Sequence, residues 1–136
     1  MTRQLEVYID GASKGNPGPA GVGVVICEGA EVVKNISRYI GRATNNIAEY
    51  NALIYALEEA LILKSENLKI YTDSELLYRQ FQGEYKVKNP EIKVLFIRAM
   101  HLMKVFKGVS FVHIPREKNR GADKLATLAV KKALKK

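Results

Sequence analysis

The sequence predicts an α/β fold in which a mixed five-stranded sheet is flanked by helices, with the element order βββαβααβα. Two patterns predict this fold. Residues 5–40 are rich in alternating and β-branched apolar residues, whereas beyond residue 44 apolar residues recur mainly every three or four positions. A length of 136 residues, with 47% hydrophobic and 26% charged side chains, indicates one globular domain over residues 1–136.

Three strands are predicted first, over residues 5–10, 22–29 and 31–40. In the first of them, Leu5, Val7 and Ile9 alternate with polar or amphipathic neighbours. The segment 11–21 is dense in glycine and proline and is therefore predicted to be a turn. A short polar break separates the second strand from the third, so the three strands should form an antiparallel meander.

The rest of the chain alternates between helices and strands. A long helix is predicted from Ile47 to Leu63, with Thr44 or Asn45 as its N-cap. The later elements are a strand over 67–73, a short helix over 74–82, a helix that opens at Asn89–Pro90, a strand over 109–115 and a helix over 119–135. In the helix after Pro90, apolar residues step by three and four as far as Phe106, which predicts one face in the core.

The charges are unevenly distributed along the chain. The net charge is +8, but residues 1–68 carry a net charge of −2 and residues 69–136 a net charge of +10. The basic half favours a polyanionic partner. The first ten residues are too polar for a signal peptide and no apolar run approaches ~18 residues, so we expect a cytoplasmic protein with no membrane partner.

Only three of the 14 acidic residues are aspartates, and each is predicted at the end of an element. Asp10 closes the first strand, Asp73 closes the fourth, and Asp123 lies in the first turn of the last helix. A strand–helix–strand crossover would place Asp10 and Asp73 at the same edge of the sheet. Clustered carboxylates favour Mg²⁺ or Mn²⁺, because hard cations prefer oxygen ligands. Aspartate at an element end is also a common cap or turn residue, and this alternative stays open here.

Four segments resemble, in order, the four motifs of type 1 ribonuclease H. They are Asp10-Gly11-Ala12-Ser13 with the turn that follows it, Thr44-Asn45-Asn46-Ile47-Ala48-Glu49, Tyr71-Thr72-Asp73-Ser74, and the segment from Asn119 to Ala126, which His113 precedes. The resemblance spans residues 7–126, and the predicted element order matches the ribonuclease H-like fold. A single such motif would be weak, but four in order at plausible spacing are specific.

The resemblance implies a two-metal endoribonuclease that cuts the RNA strand of RNA·DNA hybrids and leaves 3′-hydroxyl and 5′-phosphate ends. It implies two Mg²⁺ ions, with Mn²⁺ as a substitute, held by Asp10, Glu49, Asp73 and Asp123. Asp10 would bridge both ions, Asp123 would share the ion that activates the attacking water, and Glu49 and Asp73 would share the other.

The resemblance also implies contacts to the hybrid. Asn16 and Asn45 would contact it, and Gly11 would let the backbone approach the RNA ribose, whose 2′-hydroxyl distinguishes RNA from DNA. Thr44 and Arg42 match positions that hold a phosphate of the DNA strand. Capping alone is the alternative role for Thr44 and Asn45, and a solvated charge is the alternative for Arg42.

The chain departs from the family pattern in two places. His113 matches the loop histidine thought to shuttle a proton or assist product release, but the residues after it are stiffer than the usual glycine-rich loop; a structural role is the alternative. The chain has no tryptophan, so we expect neither the tryptophan-containing basic protrusion of well-studied bacterial members nor, at the N-terminus, a separate hybrid-binding domain. The basic second half is therefore the candidate grip on the hybrid, with strong dependence on salt. For its terminal KKALKK segment, a solvated helix end that complements the helix dipole is the favoured interpretation.

The sequence is compatible with three functions. Ribonuclease H is the leading one. A DNA-directed nuclease of the same superfold shares the carboxylates but lacks the Thr-Asn-Asn helix start, and a nucleic-acid-binding module with a dead site would not need all four acids. We expect a monomer and leave open whether duplex RNA is also cut.

Overall fold

The computed structural model describes residues 3–135 and contains five strands and four α-helices in the predicted order. The elements are β1 (Gln4–Ser13), β2 (Gly18–Glu28), β3 (Glu31–Ala43), α1 (Asn45–Ile62), β4 (Asn67–Thr72), α2 (Glu75–Phe81), α3 (Pro90–Met103), β5 (Gly108–His113) and α4 (Arg120–Leu134). A single turn of 3₁₀ helix, Arg116–Lys118, which the sequence does not predict, links β5 to α4.

The five strands form one mixed sheet in the order β3-β2-β1-β4-β5. The hairpins β1–β2 and β2–β3 are antiparallel, while β4 pairs in parallel with β1 on one side and with β5 on the other. A parallel neighbour requires a crossover, which α1 supplies between β3 and β4. The predicted α/β class and the mixed five-stranded sheet are confirmed.

Helices cover both faces of the sheet. On one face, α1 packs against β1 and β2, and α3 packs on α1; on the other face, α4 lies across β2, β1 and β3. The large apolar side chains of the core are fully buried between the sheet and α1, among them Ile9, Tyr50, Leu53 and Leu57. The predicted inward face of α3 is confirmed, since Ile92 and Ala99 are buried and Leu95, Phe96, Leu102 and Met103 pack partly buried against the core; Phe106 is buried too but lies beyond the end of the helix. In the described part of the chain, no helix is both long and apolar enough to cross a membrane.

The predicted turn over residues 11–21 is in the right place but too long. Here β1 continues to Ser13 and β2 begins at Gly18, so that only four residues connect them. Gly21, and Gly23 just after the segment, mark close approaches of strand backbone to a helix. A Cβ on Gly23 would lie 2.0 Å from the carbonyl oxygen of Ala122, and a Cβ on Gly21 would lie 2.7 Å from that of Ala126. These two glycines therefore let α4 lie directly on β2.

The prediction that Asp10 closes the first strand is also wrong, because β1 continues beyond it. Asp10 lies inside β1, opposite Gly23 of β2, three residues before the strand ends. What ends at Asp10 is the pairing of β1 with β4, whose last pair is Ile9 with Thr72. The prediction that β3 ends at residue 40 is likewise short, because β3 stays paired with β2 as far as Ala43.

Candidate active site

The parallel pairing of β1 with β4 brings two aspartates together. Ile9 is paired with Thr72, so the next residues of the two strands, Asp10 and Asp73, are neighbours at the same edge of the sheet. Such an edge, where parallel strands end, is where open α/β sheets place their ligands. The predicted proximity of these two carboxylates is confirmed.

Glu49 joins the two aspartates from the face that α1 covers. Thr44 caps α1, accepting a hydrogen bond from the Ile47 backbone N–H at 3.2 Å, so the helix begins at Asn45 and Glu49 lies in its second turn. The strand and the helix meet at Gly11, where a Cβ would lie 2.2 Å from the carbonyl carbon of Ala48. The absence of a side chain at Gly11 is therefore what lets Glu49 come close to Asp10.

Asp10, Glu49 and Asp73 form one carboxylate cluster. They can each offer an oxygen such that all three lie within 4.8 Å of one another. Asp10 is 5% exposed and Glu49 is 8% exposed, and one oxygen of Glu49, Oε2, is buried without a hydrogen-bond partner. Buried polar atoms without partners are rare and call for a ligand or another physical reason.

The pKa values of two members of the cluster are raised. Burial, followed by the charge of Asp73, raises the pKa of Asp10 from 3.8 to about 7. Burial, followed by the charge of Asp10, raises the pKa of Glu49 well above its usual value. Because three neighbouring carboxylates repel one another when they are all ionised, either bound protons or a bound cation must neutralise part of their charge. The oxygen-only donor set and the unpartnered Oε2 fit a divalent cation, which prefers oxygen ligands.

Asp123 lies at the rim of this arrangement. It is in the first turn of α4, as predicted, and lines the same cleft of about 540 Å³ as the cluster. Its carboxylate lies 3.5 Å from the guanidinium of Arg116, which also lines the cleft. The structure therefore brings three of the four predicted acids into mutual contact distance and the fourth into the same cleft.

Asn119 is a functional residue that sequence reasoning missed. It is 1% exposed, and its side-chain Nδ2 donates to the backbone oxygen of Ile9 at 2.8 Å and to Asp73 Oδ2 at 3.2 Å. It thereby ties the start of α4 to β1 and orients Asp73. Its position at the head of the fourth motif was the available signal, but its partner Ile9 is 110 residues away in sequence.

The residues predicted to contact a substrate are divided between the cleft and its surroundings. Gly11 and Asn45 line the cleft. Asn45 is held by two hydrogen bonds of 2.9 Å, since its Oδ1 accepts from the Ser13 backbone N–H and its own backbone N–H donates to Asn16 Oδ1. These bonds fix the tip of the β1–β2 hairpin to the start of α1.

Arg42 and Thr44 lie outside the cleft lining, just before α1. Arg42 is exposed on β3 opposite Pro19, and Thr44 is engaged as the N-cap of α1. His113, the last residue of β5, is exposed and stacks on Tyr78, with 5.6 Å between ring centroids. It too lies outside the cleft lining, so the assignments of these three residues stay predictions.

Comparisons with known proteins agree with this geometry. A family model described as "Reverse transcriptase-like" matches residues 8–129. The chain is 41% identical over 128 residues to ribonuclease HI of Halobacterium salinarum, covering 93% of this chain and 64% of that protein. It is 40% identical over 129 residues to the bifunctional protein Rv2228c of Mycobacterium tuberculosis, covering 93% of this chain and 35% of that protein. The chain thus spans about a third to two thirds of these relatives.

A solved structure covers nearly the whole chain. The crystal structure of LC11-RNase H1 in complex with an RNA/DNA hybrid superposes with a TM-score of 0.91 at 45% sequence identity. The match covers 96% of this chain and 99% of that one.

Proposed function

The chain belongs to the ribonuclease H family, and on that premise we propose that it is an endonuclease that hydrolyses the RNA strand of RNA·DNA hybrids, leaving 3′-hydroxyl and 5′-phosphate ends. The observation that carries the proposal is the carboxylate cluster. Three acids meet within 4.8 Å at the edge of a sheet, in a cleft open to solvent. Such a group is costly to fold unless a divalent cation binds it.

The proposed cofactor is Mg²⁺, with Mn²⁺ as a substitute and two ions per site. Asp10, Glu49 and Asp73 would hold the ions, with Asp123 contributing from the rim of the cleft. When bound, such ions supply Lewis-acid charge at the scissile phosphate and lower the pKa of an attacking water.

The residues of the chain position and shield these carboxylates. Asn119 fixes one oxygen of Asp73, and the close approach at Gly11 fixes the distance between Asp10 and Glu49. Burial of Asp10 and Glu49 keeps water away from part of the cluster, which strengthens its attraction for a cation. Arg116 offsets the charge of Asp123 at the rim, where a phosphate would enter.

Contacts to the hybrid are proposed for the start of α1 and the hairpin beside it. Asn45, Asn16 and Gly11 would contact the hybrid, including the RNA ribose, and Arg42 and Thr44 a phosphate of the DNA strand. Two hydrogen bonds preorganise this region, one from the Ser13 backbone N–H to Asn45 Oδ1 and one from the Asn45 backbone N–H to Asn16 Oδ1. The monomeric state and the cytoplasmic location stay predictions, and the assay below decides whether duplex RNA is also cut.

Strand-specific cleavage tests the proposed function. The chain is incubated with Mg²⁺ and end-labelled RNA·DNA hybrid, duplex DNA and duplex RNA in parallel. We expect cleavage of the RNA strand of the hybrid, with 3′-hydroxyl and 5′-phosphate products. Cleavage of duplex DNA would instead indicate a DNA-directed nuclease, and no cleavage of any substrate would indicate a binding module without catalysis.

A further inference from the structure

Helix α4 runs from the carboxylate cluster to the tip of the β1–β2 hairpin. Its first turn packs on Gly23, which is paired with Asp10, and its later residues Ala129 and Val130 pack on Gly21, which is paired with Ala12. The C-terminal half of α4 therefore lies level with the hairpin that continues β1 beyond the cluster. At 1.5 Å per residue, the 15 residues of α4 extend for about 22 Å.

A groove of about 680 Å³ separates this half of α4 from the hairpin. Four lysines line it: Lys14 from the hairpin and Lys131, Lys132 and Lys135 from α4. No acidic residue lines the groove, and among residues 3–135 no carboxylate lies within ion-pair distance of these four lysines. We call this feature the lysine groove.

What distinguishes these lysines is that four of them line one groove, since Lys107 is the only lysine among residues 3–135 that forms an ion pair. The cations that are paired lie elsewhere. Arg3 pairs with Glu28, Arg98 with Glu58 and Lys107 with Glu66, at distances of 2.7 to 3.0 Å. In the lysine groove, Lys131 and Lys135 are instead spaced i,i+4 on one helix, where like charges are destabilising. A polyanion that bridges the lysines would remove this repulsion.

The lysine groove adjoins the carboxylate cleft. Ala12 and Ser13 line both, so that the end of β1 forms the wall between them. A rigid, negatively charged duplex that occupies the cleft would therefore present its neighbouring phosphates to the lysines. The predicted phosphate contacts Thr44 and Arg42 do not line the lysine groove, so the lysines form a different set of contacts.

We propose that the lysine groove binds the phosphate backbone of an RNA·DNA hybrid beyond the point of cleavage. The inference rests on the proposed function, because it takes the hybrid as the occupant of the cleft. It supplies a grip on the duplex for a chain that lacks a tryptophan-containing protrusion. Binding through lysines and phosphates is sequence-independent and weakens with salt as counterions rebind.

The test compares two triple variants with the same change in charge. The groove variant, K131Q/K132Q/K135Q, removes three lysines of the groove. The distal variant, K34Q/K64Q/K104Q, removes three exposed lysines at the opposite end of the sheet. Lys34 lies on β3, Lys64 shortly before β4 and Lys104 shortly before β5. Glutamine and lysine have similar helix propensity, so α4 should remain folded. A third variant, K131R/K132R/K135R, keeps the charges.

Affinity for an RNA·DNA hybrid about two helical turns long is measured between 50 and 200 mM salt, with all variants in an Asp10→Asn background to prevent cleavage. Three phosphate contacts contribute about 2.7 to the slope of log K against log salt, which is about a 40-fold change over this range. We expect the groove variant to lose this part of the slope, and the distal and arginine variants to retain it.

Two outcomes separate this inference from the proposed function. If the groove and distal variants bind the hybrid with the same salt slope while the unsubstituted chain cleaves it, the lysine groove is not a binding surface and the proposed function stands. If the unsubstituted chain fails to cleave the hybrid but the slope still depends on the groove lysines, the proposed function fails and the binding surface stands.

Discussion

The carboxylate cluster and the lysine groove lie on two sides of the same stretch of β1, but their charges are in opposite environments. Asp10 and Glu49 are buried, and burial, followed by the charges of neighbouring carboxylates, raises both pKa values. The four lysines are exposed, and water screens their repulsion. The buried carboxylates need a bound counter-ion, whereas the exposed lysines need only a polyanion beside them. The carboxylate cluster is therefore suited to holding a catalytic cation, and the lysine groove to binding the substrate.

The largest expected effect comes from the centre of the cluster. Asp10→Asn keeps the shape of the side chain and removes its charge, and we expect hydrolysis to fall by about 1,000-fold or more, since several kcal/mol of transition-state stabilisation depend on the metal site. Hybrid binding should remain. Asp123→Asn should lose less, because Asp123 lies outside the group of three. Single-turnover cleavage measures both, with the exposed Glu117→Gln as the control; equal losses for Asp10→Asn and Asp123→Asn would contradict this ranking.

The cluster should also make stability depend on pH. The pKa of Asp10 is about 7 in the folded state and 3.8 in the unfolded state, so between these values the folded state holds more protons. The free energy of unfolding should therefore fall as pH rises from 4 to 8, by roughly 4 kcal/mol for a shift of about three units. Urea unfolding in EDTA measures this fall. Mg²⁺ should reverse this fall at pH 8. Asp10→Asn should make it smaller but not remove it, because the pKa of Glu49 is also raised by burial. A pH-independent stability in EDTA would contradict the raised pKa values.

A smaller loss is expected from the residue that positions Asp73. Asn119→Asp replaces the donor Nδ2 by an oxygen and so repels Asp73. We expect activity to fall about 10- to 100-fold, as for other residues that orient metal ligands, with the Mg²⁺ concentration at half-maximal activity raised. Hybrid affinity should not change. The exposed Asn35→Asp is the matched control, and an unchanged Mg²⁺ requirement would show that Asn119 does not orient the cluster.

The smallest effect is expected at His113. This side chain is exposed and lies outside the cleft lining, so His113→Ala should reduce the rate by about tenfold or less rather than abolish it, below the usual contribution of a general acid or base. Steady-state cleavage with Tyr78→Phe as a control for the stacking contact measures this effect. A loss as large as that of Asp10→Asn would place His113 in the chemistry.

Local patterns were enough to predict most of the fold. The alternation in β1 and the three- and four-residue steps of α3 reflect burial against the sheet, which sequence periodicity reports directly. The predicted turn between β1 and β2 was too long because glycine is common both in turns and at positions where two backbones approach closely. At Gly11, Gly21 and Gly23 it allows backbones to approach, and that requirement comes from α1 and α4, which are distant in sequence.

The site, too, was predictable where it depends on local sequence motifs and not where it depends on contacts between residues distant in sequence. The four acids stand in recognisable motifs, so their identities were predictable. The place of Asp123 beside Asp10, its ion pair with Arg116 and the bridge from Asn119 to Ile9 depend on how α4 docks on the sheet. The lysine groove likewise exists only because α4 runs back toward the hairpin, which the basic composition of the second half does not reveal.

The central claim is that Asp10, Glu49 and Asp73 form a divalent-cation site, and an NMR titration of the Asp10 side-chain carboxyl carbon tests it most directly. Without divalent cations, the pKa of Asp10 should be about 7. With saturating Mg²⁺ it should fall by at least two units, because a bound cation stabilises the charged form. An Asp10 pKa that is the same with and without Mg²⁺ would contradict the claim.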